Sequence, residues 1–232
     1  MGKLSRAVVA AVVIVFLAMG TSWADMLSGF MNITAYDGYS SGTGWYGSQE
    51  DQETEPGTVA TQAWDLEGIF YNTVNGDVAI VRGWNFKDGV SPYVSGDVFI
   101  FNSPYSQYGY GVHMDFANSE YSIYDLYGAT LINATTISQS NPYAFTGGVY
   151  GETDTLKFYS GLTDADVGGL QGGSHYMIVL NELMLYNGET IHFTMECGND
   201  MINSAPVPVP PAIWLLGSGL VGLLTVRRKF TK

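Results

Sequence analysis

One cysteine in a chain of 232 residues leaves Cys197 with no intramolecular disulfide partner. A folded body must then be held by its core, which a chain of this length can supply for one domain. The lone thiol is expected buried and inert rather than reactive. Positive charge is scarce as well. Residues 25–211 carry all 22 acidic residues and only three basic ones, Arg82, Lys87 and Lys157, a formal −19 against −13 for the whole chain. Such a field repels nucleic acid and anionic lipid, so nucleic acid is excluded as a partner and solubility is favoured. Metal and catalytic spacings are missing too: there is no His-Glu-x-x-His, no Cys-x-x-Cys, no EF-hand loop and no glycine–aspartate nonapeptide repeat.

Helical stripes are also lacking. The one short candidate is "GLTDADVGGL", a turn of helix or a loop. Without helices, no strand-to-helix elbow presents a nucleophilic serine. What the middle of the chain has instead is strands. "AWDLEGIFYNTVNGDVAIVRGW" reads as two runs around Asn75-Gly76, a dipeptide suited to a tight hairpin turn. "HYMIVLNELMLYNGETIHFTMEC" reads as a second hairpin around Asn187-Gly188. Between them lie "GDVFIF", "YGYGVHMDF", "SEYSIYDLYGATLI", "GGVYG" and "DTLKFYS", separated by Gly, Asn and Asp. Many short strands without intervening helices predict an all-β fold, an antiparallel β-sandwich of jelly-roll-like form, over residues 63–204. Residues 25–62 form a Gly-, Ser- and acid-rich lead-in with one edge strand expected near residues 30–35.

Candidate chemistry rests on few residues. Asp65 and Glu67 are two apart on an expected strand and so share a face. Paired carboxylates there serve as calcium ligands, as an acid–base pair, or as a solvated face with Trp64, Leu66 and Phe70 turned inward. Asp97 and Asp200 are the acids to add to a calcium site. His192 and Cys197 differ in parity, which sets them on opposite sides of a strand. His113 and His175 stand alone in sequence, so all three histidines are read as structural. No catalytic residue is assigned. Tyrosines in expected loops, Tyr105 and Tyr108 among them, are suited to stacking on sugars, as an adhesin or polysaccharide-binding module requires.

The two ends read as addresses. Residues 1–24 combine Lys3 and Arg6, an apolar run from Ala7 to Met19, and small residues Ser22 and Ala24 flanking Trp23. That is the pattern of a secretory signal peptide, cut between Ala24 and Asp25. Residues 205–211 alternate proline and valine, a stiff extended spacer open to a protease. The apolar segment 212–226 follows, about 22 Å long if helical at ~1.5 Å per residue. Trp214 stands at its interface end, and Arg227, Arg228 and Lys229 hold its far end in the cytoplasm.

The order Val207-Pro208-Val209-Pro210-Pro211-Ala212, then Gly217-Ser218-Gly219, then Arg227-Arg228-Lys229 resembles the PEP-CTERM sorting signals read by exosortases in Gram-negative bacteria. Val209 stands where the name-giving form has glutamate. "WDLEGIFYNTVNGDVAIVRGW", "SGDVFIF" and "IHFTMECGND" resemble the β-sandwich ectodomain of exosortase-dependent surface proteins. The resemblance implies an exported, non-enzymatic protein without a cofactor, calcium aside. It would be held in the inner membrane by residues 212–232, processed by an exosortase-type enzyme, and delivered to the cell surface or an extracellular matrix. Extracellular polysaccharide is the further partner to expect. A plain membrane anchor would explain the apolar run and basic stub but not the proline ladder.

Overall fold

The computed structural model describes residues 25–36, 50–101, 108–186 and 188–206. The expected signal peptide, the Val-Pro-Val-Pro-Pro element and the apolar tail lie outside these residues. Among the described residues no helix is long and apolar enough to cross a membrane.

The fold is all-β. In chain order the strands are β1 (Met31–Asn32), β2 (Thr34–Ala35), β3 (Leu66–Tyr71), β4 (Val78–Arg82), β5 (Ser95–Phe101), β6 (Tyr108–Asp115) and β7 (Glu120–Asp125). They continue with β8 (Thr130–Ile132), β9 (Ala144–Thr146), β10 (Val149–Leu162), β11 (His175–Leu180), β12 (Thr190–Met195) and β13 (Met201–Ser204). Eleven of them form one antiparallel sheet in the order β1-β3-β4-β11-β10-β7-β6-β5-β12-β13-β2, and β8 pairs only with β9.

Two devices fold this sheet into facing layers. The 14-residue β10 pairs through Val149–Thr155 with β7 and through Leu156–Leu162 with β11, so one strand serves both layers. On the opposite side, residues 31–35 do the same over a shorter length. Met31 and Asn32 pair with Tyr71 and Phe70 of β3, while Thr34 and Ala35 pair with Ser204 and Asn203 of β13. Ile33, between them, accepts from Ala205 N at 2.6 Å and donates its own N–H to Ile69 O at 2.9 Å. The two ends of the strand order therefore meet at one short segment, and the sandwich is nearly a flattened barrel. The strand expected near residues 30–35 is present, as the piece that closes the sheet rather than an ornament on its edge.

The core follows the period-2 pattern. Val78 and Ile80 of β4 and Ile178 and Leu180 of β11 face Val98, Ile100, Ile191 and Phe193 of β5 and β12. The alternate residues of the same strands, Ala79, Val81, Met177 and Val179, face outward but are buried too. Leu27 from the lead-in and Val167 from the 3-10 turn Asp164–Val167 cover them. A register shift between Leu66 and Gly68 turns Leu66, Ile69 and Tyr71 all into the core, which a regular strand could not do.

Two hairpin expectations come out differently. β3 and β4 do pair, but Asn72 N–H bonds to Asp77 O, so the connection is longer than a two-residue turn. β11 and β12 do not pair at all. β11 lies between β4 and β10, and β12 between β5 and β13. Both runs are fully apolar on their inner faces, and pairing is decided by which neighbours cover them rather than by the Asn-Gly between them.

Candidate functional site

A cluster of carboxylates converges where the 50–55 segment, the start of β3 and the β12–β13 turn meet. The 3-10 turn Gln62–Trp64 ends at an extended Asp65, whose carbonyl accepts from Gly83 N at 3.0 Å. A Cβ on Gly83 would stand 1.7 Å from the Gln62 carbonyl oxygen, so the contact that seats Asp65 against the end of β4 requires glycine there. Asp200 closes the β12–β13 turn, and its Oδ2 accepts from Leu66 N at 2.6 Å. Gln52, at φ +65, points its amide at Asp65 Oδ2 at 3.1 Å. Asp51 is held by Gln171 N at 3.0 and 3.2 Å. One oxygen from each of Asp51, Asp65 and Glu67 lies within 4.8 Å of the others.

His175 joins the cluster from β11. Its Nδ1 donates to Glu67 at 2.7 Å and its Nε2 to Asp164 at 2.8 Å, with the His175 and Glu67 side chains fully buried. Both ring nitrogens face carboxylate oxygens, which is the arrangement of an imidazolium. Gln62 Nε2 donates to Glu67 and to Ser174 O. Gly173 N fastens Asp164 from the far side at 2.6 Å.

The electrostatics are unbalanced. Asp51, Asp65, Glu67 and Asp200 are all buried, as are Glu50, Glu53 and Glu55 in the same segment. Of Asp51, Asp65, Glu67 and Asp200, Glu67 is the one paired with a cation among the described residues, namely His175. Arg82, the buried arginine, instead lies over the Phe86 ring. Burial pushes Glu67 up to about 7 against the pull of His175. Burial, then the neighbouring Glu67 charge, holds Asp65 far above the usual carboxylate range. Burial, then the charge of Asp65, does the same to Asp200. Asp51 is raised by burial as well. For His175 burial pulls down, but Glu67 and then Asp164 outweigh it and the ring stays protonated above its ordinary pH. Asp65 Oδ1 and Asp200 Oδ1 are buried and accept no hydrogen bond among the described residues. Each ionised carboxylate in such a place costs several kcal/mol unless a cation meets it.

Of the acids nominated from sequence, Asp65, Glu67 and Asp200 come together. Asp97 does not join them: it takes His113 Nδ1 at 2.9 Å and Phe145 N at 3.1 Å on another part of the sandwich. The solvated-face reading of Asp65 and Glu67 is overturned, since both are buried. Leu66 does turn inward, whereas Phe70 faces the second cluster. His192 packs on Phe99 and Phe101, while Cys197, in the turn after β12, lies in the core, so the two do not share a site. Tyr105 and the side chain of Tyr108 lie outside the described residues. Asp51, Asp164, His175 and Gln62 carry no sequence signal as a group, because three separate loops and β11 bring them together. The acid run "QEDQETEPG" was the one available hint, and its composition reads equally well as a solvated loop. Comparison with protein-family models, with curated proteins and with solved structures finds no match for this chain.

Proposed function

We propose that this chain is an exported, non-enzymatic protein of a Gram-negative cell surface or extracellular matrix. Its C-terminal segment is a PEP-CTERM-like signal processed by an exosortase-type enzyme after an inner-membrane stage. One observation carries the reading: the ordered run of Val207-Pro208-Val209-Pro210-Pro211, Gly217-Ser218-Gly219 and Arg227-Arg228 behind an N-terminal export pattern. The body agrees with it. A strongly acidic sandwich with one buried cysteine needs no disulfide and stays soluble outside the cell. The Glu67–His175 pair is fully buried, where no dissolved substrate meets it. A jelly-roll-like ectodomain between two removable ends is the finer form of the same proposal.

The test is the intact mass of the protein from its native host, with and without the processing enzyme. The expected result is loss of both ends, with a new C-terminus between residues 206 and 212, only when the enzyme is present. A mature mass that runs through Lys232 in both hosts rules out processing and leaves a simple anchor.

A groove favours polysaccharide binding as a second reading. It encloses about 520 Å³ and is lined by Tyr110, Tyr186, Glu152, Glu182 and Glu189 among others. Tyr186 is 73% exposed, so a flat aromatic face and nearby acceptors are offered to a neutral sugar. Tyr186→Ala and Tyr110→Ala are expected to abolish retention on a glycan array that the native chain shows. Retention unchanged in both variants removes the reading.

A further inference from the structure

We propose that Asp51, Asp65 and Glu67, with Asp200 beside Asp65, form a calcium site that pins the 50–55 segment to the body of the sandwich. This goes beyond the export reading and stands whether or not the tail is processed.

Geometry carries it first. Three carboxylate oxygens within 4.8 Å of one another suit a coordination sphere of radius about 2.3–2.6 Å, whose oxygens stand at most about 5 Å apart. The second observation is independent of that spacing. Asp65 and Asp200 each fasten one oxygen to a backbone amide, of Gln52 and Leu66, and leave the other buried and without a hydrogen bond. Asp200 Oδ2 takes the amide of Leu66, the residue next to Asp65, at 2.6 Å, which sets the two carboxylates beside one another.

The donor set decides which cation. Both nitrogens of His175 are taken by Glu67 and Asp164, and Cys197 lies in the hydrophobic core. Only oxygen is left, which disfavours zinc and copper. Magnesium keeps several of its waters and takes one or two carboxylates, whereas calcium accepts an irregular cage of many protein oxygens. A buried site with three converging carboxylates, and Asp200 beside Asp65, is of the second kind. The ion would tie together the 50–55 turn, the entry to β3 and the β12–β13 turn, adding to the backbone hydrogen bond from Glu55 N to Asn199 O. It does for this domain what a disulfide cannot, since there is one cysteine.

The purified full-length chain, stripped by chelator, is titrated with calcium chloride and separately with magnesium chloride by calorimetry, and its thermal midpoint is followed in parallel. We expect one saturable calcium event with a dissociation constant of about 10⁻³ M or tighter, and a midpoint that rises with calcium. Asp65→Asn is expected to weaken binding by about tenfold or more. Asp97→Asn, outside the cluster, should bind as the native chain does. If Asp65→Asn loses its β-sheet circular dichroism, Asp51→Asn takes its place with the same expectation. No saturable calcium binding by the folded native chain overturns the proposal. So does a magnesium response equal to that of calcium, or native affinity in the folded Asp65→Asn or Asp51→Asn variant.

Discussion

Arg82 lies with its guanidinium 3.1 Å from the Phe86 ring centre and 4.7 Å from that of Phe193, and it donates to Ser95 Oγ at 2.7 Å. Its Nε and Nη1 reach no acceptor among the described residues. Burial alone drives its ionisation well below the ordinary arginine range. Methionine keeps the length and the ring contacts without the desolvated charge, so Arg82→Met should unfold at higher urea than the native chain. Arg82→Ala leaves a cavity between the rings and should unfold at lower urea. His113 poses the opposite case at the surface. Its hydrogen bond to Asp97 chiefly raises its pKa above 6.5. The stability it contributes is complete below 6.5 and fades as pH climbs through the raised value. With the ring 63% exposed, solvent screens the pair and the effect is small. Chemical shifts of His113 followed against pH should show the raised midpoint, and Asp97→Asn should bring it down.

Among the elements, residues 31–35 do the most with the least length. Ile33 is 4% exposed, and its neighbours pair with β3 on one side and β13 on the other. Ile33→Ala should cost about 2–5 kcal/mol, as for other buried isoleucines. Hydrogen exchange should quicken first at the Ile33 and Ala205 amides, which bind across that segment. Equal destabilisation with protection kept at both sites would mean that the segment is not the closure. In the β3–β4 loop, Gly76 has φ +80, and a Cβ there would stand 2.1 Å from Met184 Sδ. Gly76→Ala therefore meets a backbone penalty of about 1 kcal/mol besides a displaced methionine. A urea midpoint like that of the native chain would contradict this.

At the scale of the molecule, the lead-in is part of the domain. Thr34 pairs with Ser204, and the Glu55 amide bonds to Asn199 O. Leu27 and Ile33 belong to the two apolar clusters. A chain that begins at Ala63, the boundary suggested by composition, should fail to unfold cooperatively. One that begins at Asp25 should give a single transition. Closure between residues so far apart in sequence also predicts slow folding, on the order of milliseconds to seconds or longer, measurable by stopped-flow fluorescence of the tryptophans.

Alternation of apolar and polar residues is a local property, and it made the strands legible: β3, β4, β5, β6 and β12 lie where their sequences point. It also put Ile191 and Phe193 of β12 in the core and His192 on the other face. The pairing of Asp65 with Glu67, and Asp200 as their companion, could be nominated because acids are costly in strands and therefore conspicuous. What local pattern could not decide is which strand lies beside which. A run apolar on both faces, such as β11, suits several neighbours equally, and only the closed sheet selects β4 and β10. The same holds for the acids of residues 50–55. Their charges read as solvated until the fold brings Asp51 against Asp65 and Glu67, and brings His175 against Glu67 from a position 108 residues away. Strand propensity and facing are settled between neighbours along the chain, whereas burial and charge pairing are settled by long-range closure, so the sequence determined the strands and singled out Asp65, Glu67 and Asp200, and the tertiary structure decided that they are buried and that Asp51 and His175 join them.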